Sequence, residues 1–253
     1  MAMPSAVDIA SHPRVDSGQG LTICDARLGD MPIRTVVQHG PKDKKVAAFA
    51  IDWPGWGRGA KTPDAALETL EAYRARYRAI ADGAGLRVEF DAAGELEVVE
   101  DHIGVGSTDF WAISFAPSSF EQAPMPADEI ERKLTLLESA WAYFDAVAAR
   151  VSPELAKGPR GGGRTRDEIV RHVVGNERGD LVGRVGVDTS AEDVATPEGL
   201  RAHRDAYVSA LRDYNAQGNL ARGRNWTIAL LLRHTAYHVL DHAWEMEDKD
   251  LSG

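Results

Sequence analysis

The sequence has a single cysteine, Cys24, among 253 residues. One thiol cannot form a disulfide within the chain, and it cannot supply the several thiolates of a structural zinc site. Long apolar runs are also missing: no stretch approaches the about 20 residues that a membrane-spanning helix needs. Residues 1–32 have neither a basic start nor an apolar run, so we expect a loose arm rather than a secretory signal. These absences predict a soluble, cytoplasmic protein without membrane partners.

Positive charge is in deficit as well. The chain has 29 Lys and Arg against 39 Asp and Glu, which gives a net charge of −10 with neutral histidines. An acidic protein repels phosphate backbones, so general nucleic-acid binding is not expected. Hydrophobic residues make up 43% of the chain, enough for a substantial core. The eight histidines are the least ordinary supply of chemistry.

Residues 33–115 carry strand patterns around one helical pattern, which predicts a small α+β domain. The apolar β-rich runs are IRTVVQH (33–39) and KVAAFAID (45–52), and a second hairpin is predicted from LRVEF (86–90) and ELEVVE (95–100). Between them, Thr62-Pro63-Asp64 is a typical helix start. The apolar face of that helix comprises Ala66, Leu70, Tyr73, Tyr77 and Ile80.

The proline-rich residues 116–127 are interpreted as a linker, and the period beyond them is helical. Four amphipathic helices are expected in 128–250. They cover about 128–150, a segment opened by the capping box of Thr165 and Glu168, a segment opened by Thr196, and about 225–247. The predicted fold class is therefore two-domain, with a small α+β domain followed by an all-α four-helix bundle.

Three histidines in the last helix are spaced by four residues: His234, His238 and His242. Neighbours in such a series differ by about 40° around the helix and lie about 6 Å apart along it, so a neighbouring pair can bind one metal. Two histidines seldom hold a catalytic metal alone, and His172 on the second helix is the natural third ligand. The alternative is that these are ordinary hydrogen-bonded histidines, which is the commoner role of a histidine on a helix.

The segments RDEIVRHVVGNE and LLRHTAYHVLDHAWE resemble the DinB/YfiT-like superfamily of four-helix metalloproteins. The resemblance covers about the last 120 residues and implies a divalent metal held by His172, His238 and His242, with His234 as the upstream histidine that is not a ligand. The HVLDHAWE ending is similar to an actinobacterial branch related to mycothiol-dependent enzymes. Many members follow the last histidine with Arg-Gly-Gln, whereas this chain has Ala243-Trp244-Glu245.

A weaker resemblance, over residues 33–90, is to the HicB-like antitoxin core. The matching residues are Asp52, Pro54, Gly55, Gly59, Thr62, Ala65 and Leu67. No segment typical of DNA binding accompanies them, so antitoxin function is not implied. We interpret this region as an accessory for binding or dimerisation.

The resemblance implies a small-thiol-dependent transferase or isomerase acting on a small electrophile, with a low-molecular-weight thiol such as mycothiol. An all-nitrogen site suits zinc or nickel, with iron also possible. Two alternatives remain open: a metal-dependent hydrolase, and a non-catalytic partner-binding protein with a structural metal. A homodimer is possible. The weaker candidates are Asn176, Asp241 and Glu245 near the metal, and Arg222, Arg224 and Trp226 for an anionic substrate.

Overall fold

The computed structural model describes residues 31–158, 163–218, 220–223 and 225–252. Nearly all of the predicted N-terminal arm, including Cys24, lies outside the described residues, and so does the candidate Arg224. Within the described residues, no helix combines the length and the apolar content needed to cross a membrane.

A four-stranded mixed sheet forms the first part of the structure. Its strands are β1 (Ile33–His39), β2 (Val46–Ala50), β3 (Gly57–Ala60) and β4 (Leu96–Ile103), in the order β3-β2-β1-β4. β2 pairs antiparallel with β1 and with β3, as expected for hairpins, whereas β4 pairs parallel to β1. Parallel strands need a crossover connection. That connection contains α1 (Pro63–Ala72), α2 (Arg74–Gly83) and α3 (Arg87–Ala92).

The second predicted hairpin is therefore wrong. LRVEF forms most of α3 instead of a strand, and ELEVVE pairs with β1 across the crossover. The run LRVEF is too short for its periodicity to separate a strand from a helical turn, and Phe90 is its one buried residue. The predicted apolar face of the preceding helix is confirmed at Ala66, Leu70, Tyr77 and Ile80, although the chain divides into two helices at Tyr73.

Five further helices follow the crossover. They are α4 (Gly106–Trp111), α5 (Ala127–Arg150), α6 (Arg166–Asn176), α7 (Pro197–Ala216) and α8 (Ile228–Asp248). The threonine caps expected from the sequence are present: the hydroxyls of Thr62, Thr165 and Thr196 each accept a hydrogen bond from a backbone amide in the first turn. α6 runs directly into a π-helical turn, Glu177–Leu181, and then into a 3-10 turn, Val182–Val185.

One hydrophobic core contains buried residues from both predicted domains, from Ile33 in β1 to Met246 in α8. The sheet side reaches α8 directly, because Gly55 packs on Ala236 and Leu240. The crossover packs on α5, where the Ser139 hydroxyl donates a 2.7 Å hydrogen bond to the backbone oxygen of Ile80.

The fold class is therefore corrected. The described residues fold as an α+β structure, a mixed sheet with eight α-helices, and they do not show a separate all-α four-helix bundle. The physical reason is the surface that each helix buries. Fifteen of the 21 residues of α8 are buried, so other elements cover most of its surface and leave a narrow polar stripe that includes His238, Asp241 and Glu245. Periodicity in the sequence predicts such a helix but not the elements that cover it.

Candidate metal centre

α6 and α8 carry the three candidate ligands, and each helix is fixed at its start by a threonine cap. In α6 the amide of Thr165 donates to Glu168 Oε2 at 2.8 Å, and the amide of Glu168 donates to Thr165 Oγ1 at 3.3 Å. This is the capping box predicted from the sequence, and it satisfies amides that the first helical turn leaves free. In α8 the Thr227 hydroxyl accepts from the amide of Leu230.

The apolar side of α6 faces the core and sets the direction of His172. Ile169 and Val173 are fully buried. His172 lies next to Val173 and three residues after Ile169, so its imidazole is directed toward the same neighbour, α8. There it meets His238 and His242, which follow each other by one helical turn.

The three imidazoles form a compact group. Their ring centroids are separated by 5.1 Å for His172 and His238, 4.9 Å for His172 and His242, and 4.8 Å for His238 and His242. The rings are steeply inclined, at 69° to 90° to one another. One ligand nitrogen from each residue lies within 4.8 Å of the other two. The group could therefore hold a metal ion.

The distance between two of the imidazole nitrogens is compatible with binding of one metal ion. Two ligands bound at about 2.1 Å in a tetrahedral arrangement lie about 3.4 Å apart. The Nε2 atoms of His172 and His238 are 3.2 Å apart, close to that value. At this distance two imidazole nitrogens either share a proton or bind the same ion. The donor set, three nitrogens from two helices, fits a divalent transition metal.

Burial keeps two of these imidazoles neutral. It lowers the pKa of His172, with the neighbouring charges of His242 and Arg164 acting in the same direction. The pKa of His238 falls to about 2, chiefly through burial and then through His242. A neutral imidazole has a nitrogen lone pair available to a metal, whereas a protonated one has none.

Glu245 orients the third imidazole. Its Oε2 atom lies 2.7 Å from His242 Nδ1, and its Oε1 atom accepts from Lys249 Nζ at 2.5 Å. The hydrogen bond from His242 is the main reason that the pKa of Glu245 falls to about 2. Because the ionised carboxylate only accepts, His242 Nδ1 donates the proton, and Nε2 is the nitrogen that a metal would bind.

The other two polar candidates are engaged elsewhere. The Asn176 amide donates to Asp180 Oδ2 at 2.8 Å, one turn further along the chain. Asp241 accepts from Arg58 Nη1 at 2.8 Å, which joins α8 to β3. The Arg58 guanidinium also lies over the ring of Trp244, 4.3 Å from its centroid. Of the three acidic or amide candidates, Glu245 alone contacts a ligand histidine in the described part of the chain.

The candidate anion-binding segment before α8 packs near His234. Trp226 is half-buried, with the Arg184 guanidinium 4.0 Å from its ring centroid and the His234 ring 5.7 Å away. Arg222 is exposed, and its backbone oxygen accepts from Arg184 Nη1 at 3.2 Å. These contacts bring Trp226 to the upstream histidine rather than to the ligand group.

His234 itself lies outside the group of three. It is 7% exposed and packs against Phe115, with ring centroids 4.7 Å apart. Burial lowers its pKa to about 3, and the charges of Arg233 and Arg184 add to the effect. His234 is therefore not a member of the group that could hold a metal ion.

Two further charged residues, Lys249 and Arg164, lie near the group, and Lys249 was not identified from the sequence. Lys249 forms an ion pair with Glu245. The sequence feature that indicates this pair is the spacing of four residues between opposite charges. Arg164 is exposed, and its charge acts on both His172 and His238, which places a cation near the imidazoles. From the sequence, the arginines among the neighbouring glycines could form an anion-binding loop or a disordered segment, and the sequence favours disorder.

Comparison of the chain with protein-family models, with curated proteins and with solved structures finds no match, so the site is interpreted from its own geometry.

Proposed function

We propose that the chain is a divalent-metal-dependent enzyme whose metal is bound by His172, His238 and His242. The observation that carries the proposal is the convergence of three imidazole nitrogens within 4.8 Å of one another. The separation of 3.2 Å between two of them supports the same reading.

The number of ligands favours a catalytic metal over a structural one. Structural zinc sites are closed by four protein ligands, whereas catalytic sites keep a position for water or substrate. In the described part of the chain, the ligand group has three members. His172 and His238 are only partly buried, so a small molecule can approach from solvent.

The type of ligand atom narrows the choice of metal ion. Imidazole nitrogens suit zinc, nickel and iron, while calcium and magnesium prefer oxygen ligands. We propose zinc or nickel first, with iron as a further candidate. The three histidines contribute no charge when neutral, so a bound divalent ion would keep its positive charge for a substrate.

The proposed reaction class is transfer to, or isomerisation of, a small electrophile with a low-molecular-weight thiol. When bound, a divalent metal with a free position holds a thiol as its thiolate or polarises a carbonyl. The resemblance of the last helices to DinB/YfiT-like proteins favours the thiol. Arg164 would attract an anionic thiol or substrate to the site, while Glu245 keeps His242 in the tautomer that binds the metal.

The test is consumption of an electrophile with and without a thiol. The purified chain, loaded separately with zinc and nickel, is mixed with chlorodinitrobenzene and with mycothiol, glutathione or cysteine. We expect a thiol-dependent rate that His238→Ala abolishes and that the matched variant His234→Ala retains. A metal-loaded chain that accelerates none of these reactions would contradict the proposal, and hydrolysis of activated esters without a thiol would favour a metal hydrolase.

A further inference from the structure

A cavity of about 1040 Å³ lies between α5, α6 and α7 and is closed at one side by residues 191–197. It is at the upper end of the size range typical of small-molecule sites. Most of its wall is apolar. The larger apolar side chains that line it are Trp141, Val170, Val174, Val194, Leu200 and Val208.

The cavity is separate from the metal centre. Val170 and Val174 of α6 line it, and each is two residues away from His172. Two residues correspond to about 200° around a helix, so the imidazole and the cavity lie on opposite sides of α6. A ligand in the cavity would therefore not touch the metal ligands.

Arginines dominate the polar part of the wall. Four of them line the cavity, Arg171, Arg178, Arg201 and Arg204, against three acidic residues, Glu138, Asp145 and Asp205. The wall thus has a surplus of one positive charge, in a chain whose net charge is −10. Arg171 and Arg201 are exposed and make no ion pair with any described residue.

Arg204 is the buried member of this group, at 8% exposure. Its Nη1 atom donates to Asp145 Oδ2 at 2.8 Å, and its Nε atom is 3.6 Å from Glu177 Oε1. Its guanidinium lies 5.1 Å from the ring centroid of Trp141. Among the described residues, no hydrogen-bond acceptor reaches its buried Nη2 atom. Since this atom is closed to solvent, Arg204 contributes positive charge behind the wall, shared with Asp145 and Glu177, and is not itself a donor to a ligand in the cavity.

We propose that this cavity binds a small organic anion, with an apolar body between α6 and α7 and a singly charged carboxylate at the arginines. The apolar wall fits the body of such a ligand, and the exposed Arg171 and Arg201 provide donors for its head group. A surplus of one positive charge suits a monoanion better than a polyphosphate, because Asp145 and Asp205 would repel additional negative charge.

Decanoate is the probe, and decanol is its uncharged counterpart. Binding to the purified full-length chain is measured by calorimetry and by displacement of the fluorescent dye anilinonaphthalene sulfonate. We expect one decanoate per chain and at least about tenfold weaker binding of decanol, which lacks the charged head. Arg201→Gln should weaken decanoate binding about tenfold, and Val174→Trp should abolish it by filling the cavity. The matched control Arg87→Gln removes an exposed arginine on α3 and should change nothing.

Circular dichroism and thermal unfolding establish that each variant is folded. Arg201 is exposed, so its variant tests the proposal even if Val174→Trp fails to fold. Equal affinity for decanoate and decanol would overturn the proposal, as would decanoate binding that Arg201→Gln leaves unchanged. The proposal would also be overturned if the chain forms a dimer in solution that Val174→Trp dissociates, and if decanoate affects neither the dimer nor the monomer. The lining of the cavity would then be an interface with a second copy of the chain.

Discussion

The burial of His234 predicts how the stability of the fold depends on pH. This imidazole is packed against Phe115 and Trp226, and its Nδ1 atom has no acceptor among the described residues. Its pKa is about 3 in the folded chain, compared with about 6.5 for an unperturbed histidine. Between these two values the unfolded chain binds a proton that the folded chain does not. The contribution of His234 to the free energy of unfolding is therefore fully present above about pH 6.5. It falls by up to about 1.4 kcal/mol per pH unit as the pH drops toward 3.

Integrated between pH 7 and pH 5, the contribution of His234 is about 2 kcal/mol. The perturbation is His234→Phe, which keeps a ring in the apolar site and cannot titrate. Urea unfolding of the chelator-treated chain at both pH values gives the loss of stability for wild type and variant. We expect the wild type to lose about 2 kcal/mol more than the variant.

His39→Gln is the matched control, because the sign at His39 is opposite. Hydrogen bonding to Asp43 raises the pKa of His39, so its contribution is present at low pH and is lost as the pH rises through the folded pKa. Replacing His39 with Gln should therefore increase the loss of stability between pH 7 and pH 5. The reasoning about His234 is refuted if His234→Phe loses as much stability as the wild type between the two pH values.

Three further variants test the site and its supports. Glu245→Ala should weaken metal affinity roughly 10–100-fold, because His242 loses its orienting acceptor, whereas Asp241→Asn should leave it unchanged; competition with a chromophoric chelator measures both. Gly55→Ala should lower the free energy of unfolding by about 2 kcal/mol, because φ of Gly55 is +93° and the added carbon would lie 2.7 Å from Leu240 Cδ1. Urea unfolding measures this loss, and a midpoint close to that of the wild type would contradict the packing of the sheet on α8. Thr165→Ala should cost about 1 kcal/mol by removing the α6 cap, which thermal unfolding detects; unchanged stability would argue against the capping box.

The features that could be predicted from the sequence are those set by local spacing. Helix caps depend on residues within one turn, so Thr165 and Thr196 were identifiable before the structure was known. The same applies to the histidine group. His238 and His242 are brought together by one helical turn, and His172 follows from the apolar stripe of its own helix.

The features that could not be predicted depend on distant partners. LRVEF and ELEVVE look like a hairpin locally, but β4 pairs with β1, more than 60 residues earlier. The prediction of a separate four-helix bundle is wrong for a similar reason, because nothing in the period of α8 shows that Gly55 packs against it. Asp241 likewise lies beside the ligand histidines in sequence, yet its partner is Arg58, 183 residues away.

The central claim is that His172, His238 and His242 bind one divalent metal ion, and metal stoichiometry tests it most directly. Elemental analysis by mass spectrometry is applied to the purified chain and to its His238→Ala, His242→Ala and His234→Ala variants. We predict one zinc or nickel per chain in the wild type and in His234→Ala, and less than about a tenth of that in the other two. A full metal equivalent in both His238→Ala and His242→Ala would contradict the claim.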